Sequence, residues 1–143
     1  MILYPLTEED VAETAALERR LFSDPWTPEN IRGGMDPRTG YCLAARDASG
    51  LAGYLIACIV GDEGELLRIG TTPERRGRGL GSELLERMLE ENPGVRIWRL
   101  DVRAGNAPAI RLYEKAGFHT VTENRDFYRD PRENGLLMAR ELC

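Results

Sequence analysis

The chain has 143 residues, 42% of them hydrophobic, and its 24 acidic and 19 basic side chains leave a net charge of −5. That length and apolar share suit one compact domain, and the acidic balance weighs against the broad basic surface of a general nucleic-acid binder. Three cysteines, Cys42, Cys58 and Cys143, give neither an even disulfide framework nor a metal-ligand spacing, so a reducing, cytoplasmic setting without a metal is expected.

The longest apolar stretch, Leu51 to Val60, is too short to span a bilayer, and no basic segment precedes an apolar run near the start. Neither a membrane anchor nor a leader is expected. In chain order, Met1 to Leu6 reads as a strand, and Thr7 with Asp10 three residues on caps a helix to about Leu21. Pro25-Trp26-Thr27-Pro28 breaks the chain and starts a short helix that Gly33-Gly34 should stop. Tyr41 to Arg46 and Leu51 to Gly61 are strands around the turn Asp47-Ala48-Ser49-Gly50, and Glu65 to Thr72 is a third.

A glycine–arginine segment, Arg76-Gly77-Arg78-Gly79-Leu80-Gly81, runs into a helix from Ser82 to Glu91 with Leu84, Leu85, Met88 and Leu89 at helical spacing. Arg96 to Arg103 alternates as a strand, with Trp98, Leu100 and Val102 on one face and Ile97, Arg99, Asp101 and Arg103 on the other. Asn106 caps a helix to Ala116, Gly117 stops it, and strands follow from Phe118 and over Gly135 to Leu142. One strand, two helices, three strands, a helix, a strand, a helix and two strands make a mixed α+β sheet domain.

The glycine–arginine segment carries the chemistry. Glycines let backbone amides approach an anion, the following helix aims its free N–H groups and positive dipole end at the same point, and arginines add charge. A P-loop would need Gly-Lys-Ser/Thr, which is absent. A dinucleotide fingerprint would place glycine where Ser82 stands; Asp101 lies at the distance of a ribose-binding acid, but Thr72-Pro73-Glu74-Arg75 separates the strand from the glycines.

The pattern Arg76-x-x-Gly79-x-Gly81 resembles the pyrophosphate loop of the GNAT N-acetyltransferases. Asn106 with Ala109-Ile110-x-Leu112-Tyr113-x-x-x-Gly117-Phe118 resembles that family's second signature, and the element order matches along nearly the whole chain. The RimI-type branch, which acetylates ribosomal-protein alanines, is the nearest in likeness, through Pro25-Trp26, Ile69, Asp101-Val102-Arg103-Ala104-x-Asn106 and Tyr128.

The resemblance implies a single GNAT domain over residues 1–143, a mostly antiparallel sheet of six to seven strands flanked by about four helices, with two central strands splayed apart. It implies acetyl-CoA as cosubstrate, held by Ile69, Gly70 and Thr71 along the pantetheine arm and by Arg76, Gly77, Arg78, Gly79, Leu80, Gly81, Ser82, Asn106 and Tyr113. Tyr113, whose phenol stays protonated at neutral pH, would return a proton to the departing thiolate. Asp101 stands where RimI-like enzymes are thought to place a glutamate base; one methylene shorter, it would act through a water, or pair with Arg99 or Arg103 instead. Glu63 and Glu65 are alternative bases, and His119 is the only histidine. Cys42 and Cys58, in apolar strand contexts, read as core residues.

Trp26 and Tyr128 would bind the acceptor, a protein N-terminus such as that of a ribosomal protein. This chain has Phe127-Tyr128 and Glu133-Asn134-Gly135 where RimI-type sequences carry a Tyr-Tyr pair and a Glu-Asp-Ala stretch. An α-amino group, with a pKa of about 8, keeps a substantial neutral fraction near neutral pH, whereas a lysine near 10.4 keeps about a thousandth. A small amine, a lysine, or a role as a non-catalytic coenzyme A sensor are the alternatives.

Overall fold

A computed structural model describes residues 1–142. It contains β1 (Ile2–Pro5), α1 (Val11–Leu21), α2 (Pro28–Gly34), β2 (Gly40–Asp47), β3 (Gly50–Val60), β4 (Glu63–Thr71), α3 (Leu80–Glu91), β5 (Ile97–Arg103), α4 (Ala107–Lys115), β6 (His119–Arg129) and β7 (Arg132–Glu141), in the order the sequence predicts. The Asp10 carboxylate accepts the Thr7 N–H at 2.9 Å, as the capping pattern requires, although the first turn is 3₁₀. Thr27 caps α2 by accepting the Asn30 N–H at 3.2 Å. That helix does not stop at the glycine pair; it runs through Gly34, and Met35 caps it. Helix α3 begins two residues earlier than expected, because Gly79 takes a left-handed conformation (φ 76°) and serves as its N-cap.

The seven strands form one sheet in the order β1-β2-β3-β4-β5-β7-β6. All neighbours are antiparallel except β4 and β5, which are parallel and pair only from Glu63–Ile97 to Glu65–Arg99. Beyond that point the two strands diverge, for two local reasons. Opposite β3, Ile56 pairs with Arg68 and Ala57 with Leu66, so Leu67 is an extra, bulged residue that bends β4. At the closed end Trp98 lies flat over Gly64, where a β-carbon would come within 2.5 Å of the indole ring. The joined ends are locked and the other ends open into a V.

Adjacent strand residues feed opposite cores. Leu43, Ala45, Leu55, Ala57, Leu66, Trp98, Leu100 and Met138 pack with Leu84, Leu85 and Met88 of α3 and Tyr113 of α4. Ala44, Tyr54 and Ile56 pack with Val11, Ala15 and Leu17 of α1 and Ile31 of α2. Two helices therefore cover each face of the sheet. The link between β6 and β7 is a hairpin tip with Tyr128 paired to Glu133 and Arg129 to Arg132. The register shifts between Asn124 and Tyr128, where Asp126 takes φ 52°. No helix among the described residues is long and apolar enough to cross a membrane.

Candidate active site

The V between β4 and β5 opens into a cleft of about 750 Å³ that passes from one face of the sheet to the other. Its β4 wall is Leu66 to Thr71, its β5 wall Leu100 to Arg103. One edge of the β4 stretch is bonded to β3, with Leu55 opposite Ile69, Tyr54 opposite Gly70 and Gly53 opposite Thr71. The other edge has lost its β5 partner, so its backbone groups are free to bond an extended arm laid in the gap.

On the α3–α4 face the cleft is lined by Arg76, Gly77, Gly79, Leu80, Gly81 and Ser82, together with Asn106 and Tyr113. The first helical bond of α3 runs from the Glu83 N–H to the Gly79 carbonyl at 3.0 Å, which leaves the N–H groups of Leu80, Gly81 and Ser82 without helical partners. The exposed Arg76 lies beside them, and free amides at a helix start next to a cation are an arrangement that can accept an anion. Arg78, predicted with this group, borders a separate shallow cleft with Thr72, Glu74 and Arg75. Arg75 is committed elsewhere, its guanidinium bonded to Asp47.

Asn106 both caps α4, accepting the Ala109 N–H at 3.3 Å, and lines the cleft. Seven residues on, Tyr113 lies on the same helix face, buried against Phe118 at a centroid distance of 6.1 Å. Burial, helped by the neighbouring Tyr128, pushes its hydroxyl up to about 12, so it holds its proton throughout the physiological range.

On the α1–α2 face the cleft is lined by Leu21 at the end of α1 and Phe22, Ser23 and Asp24 after it, by Arg68 and Asp101, and by Arg103, Tyr128 and Pro131. Partial burial raises the Asp101 carboxyl above the usual aspartate range. The ion pairs that its strand neighbours could have offered are not made. Arg99 pairs with Glu63 at 2.6 Å, and Arg103 pairs with Glu133 at 3.3 Å. Arg103 also donates to the carbonyls of Pro131 and Asp130 at 2.8 and 3.0 Å and stacks 4.3 Å above the Tyr128 ring. Ser23 donates to the same Asp130 carbonyl at 2.6 Å, tying the segment after α1 to the hairpin tip across the cleft mouth. Burial, with Asp101 adding to it, pushes the Tyr128 hydroxyl up to about 12.

The other candidates lie outside the cleft. Glu63 and Glu65 are exposed on the closed end of β4, and His119 is exposed on β6. Trp26 is packed into the α1–α2 core, its backbone N–H given to Glu18 at 2.8 Å. Cys42 donates its thiol to the Gly34 carbonyl at 3.2 Å, and burial pushes it up to about 11, which leaves almost no thiolate at neutral pH. Cys143 lies outside the described residues.

The Acetyltransferase (GNAT) family model matches residues 6–118. The chain belongs to the GNAT family. It is an acetyl-CoA-dependent N-acetyltransferase. Over 138 residues it is 34% identical to the [ribosomal protein bS18]-alanine N-acetyltransferase of Escherichia coli (strain K12), covering 94% of this chain and 93% of that one. Over 142 residues it is 32% identical to the N-alpha-acetyltransferase RimI of Mycobacterium tuberculosis (strain ATCC 25618 / H37Rv), covering 95% and 89%. The crystal structure of the ribosomal-protein-S18-alanine N-acetyltransferase from Escherichia coli superposes with a TM-score of 0.90 at 31% identity, covering 98% of this chain and 92% of that one.

In this GNAT chain Arg68, which lines the cleft, and Glu18, which pairs with it, lie outside both family signatures. Glu18 falls on the apolar stripe of α1 formed by Val11, Thr14 and Ala15, and Arg68 interrupts the apolar run Leu66-Leu67-Arg68-Ile69. A charge on a core face requires a partner of opposite sign, and these two supply one another.

Proposed function

We propose that this enzyme acetylates the α-amino group of a protein N-terminus, with a ribosomal protein the first candidate, in a reducing cytoplasmic compartment. The observation that carries this reading is the gap running through the sheet. It presents an anion cradle and Tyr113 on one face and Asp101 with Tyr128 on the other, so two substrates can meet from opposite sides. The relatives' activities on ribosomal-protein alanine and on N-terminal amines favour a peptide acceptor.

Acetyl-CoA supplies an activated acetyl thioester when bound. The amides of Leu80, Gly81 and Ser82, with Gly77, Gly79 and Arg76, would hold its pyrophosphate, and the free backbone edge of Ile69, Gly70 and Thr71 its pantetheine arm. Asn106 would border the arm, and Arg78, on the far side of the loop, is left for the outer phosphate. Asp101 takes the proton of the incoming amine, directly or through one water, and Tyr113 protonates the departing sulfur. Because Asp101 and Tyr113 work from opposite faces, attack is direct, without a cysteine relay. Tyr128 borders the acceptor, whereas Trp26 acts through the packing of the segment after α1.

Mass spectrometry after incubation with acetyl-CoA and a panel of peptides differing at their first residues tests this. Acetylation at the α-amine is expected. Acetylation of lysine side chains or simple amines alone would redirect the acceptor, and coenzyme binding without any acetylation would indicate a sensor.

A further inference from the structure

Arg68 and Asp101 line the cleft from opposite walls of the V. The β4–β5 ladder ends at Glu65 and Arg99, and Leu66 and Leu100 follow on the α3–α4 face. The bulge absorbs Leu67, so Arg68 comes next, level with Asp101 and on the α1–α2 face.

The Arg68 side chain is held on several sides. Fully buried Glu18 accepts from Nη2 at 2.5 Å and from Nε at 3.2 Å. The guanidinium carbon lies 4.4 Å from the Phe22 ring and 5.6 Å from the Trp26 ring. The same carboxylate accepts the Trp26 N–H and the Tyr54 hydroxyl, so both of its oxygens are occupied. Nη1 is outside this set. No buried side-chain nitrogen among the described residues lacks a partner, so Nη1 opens on the cleft that Arg68 lines.

With its charge balanced by Glu18, Arg68 offers the cleft an oriented N–H donor rather than a net positive field. A donor across the cleft from a carboxylate matches one feature of a peptide N-terminus, an amine and a carbonyl group joined through a single carbon. A lysine side chain or a polyamine has no oxygen at that place and would leave the donor unanswered.

Resting on the peptide-acceptor reading, we infer that Arg68 is a specificity-determining residue. Its Nη1 donates to the carbonyl oxygen of the acceptor's first residue while the amine faces Asp101, which selects peptide α-amines over side-chain and simple amines.

The test compares kcat/KM for a short acceptor peptide and for the same peptide with a thioamide at its first bond, where sulfur replaces the oxygen and accepts hydrogen bonds weakly. The wild-type enzyme is expected to favour the oxygen peptide by about tenfold. Arg68→Met in a Glu18→Gln background removes both charges together, and Arg68→Lys keeps the charge but withdraws Nη1. Both are expected to use the two peptides within about twofold of each other, a change in ratio that a merely structural defect would not produce. Glu18→Gln alone should keep the preference. If circular dichroism finds the double variant unfolded, Arg68→Lys decides. A wild-type ratio near one, or a tenfold ratio that survives in Arg68→Lys, overturns the assignment. Acetylation of simple amines with no peptide turnover by the wild type would instead overturn the peptide-acceptor proposal and this inference with it.

Discussion

Arg75 grips Asp47 with two parallel bonds, Nε to Oδ2 at 2.6 Å and Nη2 to Oδ1 at 2.5 Å, and so fastens the end of β2 to the turn leading into the glycine loop. Its third nitrogen, Nη1, donates to Thr72 Oγ1 at 2.9 Å. A paired guanidinium fork of this kind fixes position as well as charge. Of Arg75, Arg76 and Arg78, Arg75 is therefore a scaffold for the loop.

Arg75→Ala and Asp47→Asn should each raise KM for acetyl-CoA by about three- to tenfold with kcat nearly unchanged, and the double variant should be no worse than either single one. Initial-rate kinetics with coenzyme titration would measure it. Arg75 lowers the Asp47 carboxyl to about 2, so the contribution is present above the ordinary aspartate value near 3.8 and is lost as pH falls from there towards 2. Additive losses would separate the two residues.

Tyr113→Phe should lower kcat by about a hundredfold while acetyl-CoA affinity, read by calorimetry, stays within about twofold. Since the hydroxyl is raised to about 12, the wild-type rate should show no falling limb from this group below about pH 10. An unchanged kcat in the variant would remove Tyr113 from proton transfer.

Asp101→Asn should combine a loss of kcat/KM of about ten- to a hundredfold with a small rise in Tm at neutral pH. The sign follows from burial: a carboxyl raised in the folded state costs stability when ionised, a cost absent below its unfolded value and incurred as pH rises through the folded one. Thermal melts at pH 4 and pH 8 should show the variant's advantage only at the higher pH. A lower Tm at pH 8 would mean that the carboxylate is structurally supported.

Gly64→Ala should cost about 1–3 kcal/mol in denaturant unfolding, because the new methyl would meet the Trp98 ring at 2.5 Å. The same variant should lose activity with both substrates, since the indole sets where β4 and β5 part. Wild-type stability in this variant would show that Trp98 can move aside freely.

Local rules carried much of this fold. Thr7, Thr27, Asn106 and Gly117 mark helix ends through short-range bonding, and strict alternation in Ile97–Arg103 assigns Trp98, Leu100 and Val102 to the core. Tyr113 is singled out by its place in the second family signature, and its seven-residue spacing from Asn106 puts the two on one face of α4. The bulge at Leu67 was not, because neither glycine nor proline marks it and it exists only relative to β3. The Glu18–Arg68 pair spans 50 positions, and only its two misplaced charges hint at it. Arg75, Arg76 and Arg78 look alike in sequence; the turn at Pro73–Arg75 and the left-handed Gly79 send Arg75 to Asp47 and Arg78 away from the main cleft.

The gap through the sheet also dictates how the enzyme can be blocked. With the coenzyme and the acceptor placed as proposed, a compound seated wholly on the α3–α4 face should compete with the coenzyme yet leave the acceptor's approach open, and one on the α1–α2 face should do the reverse. An inhibitor that competes with both must thread the interstrand opening with a slender linker and carry a bulky group at each end.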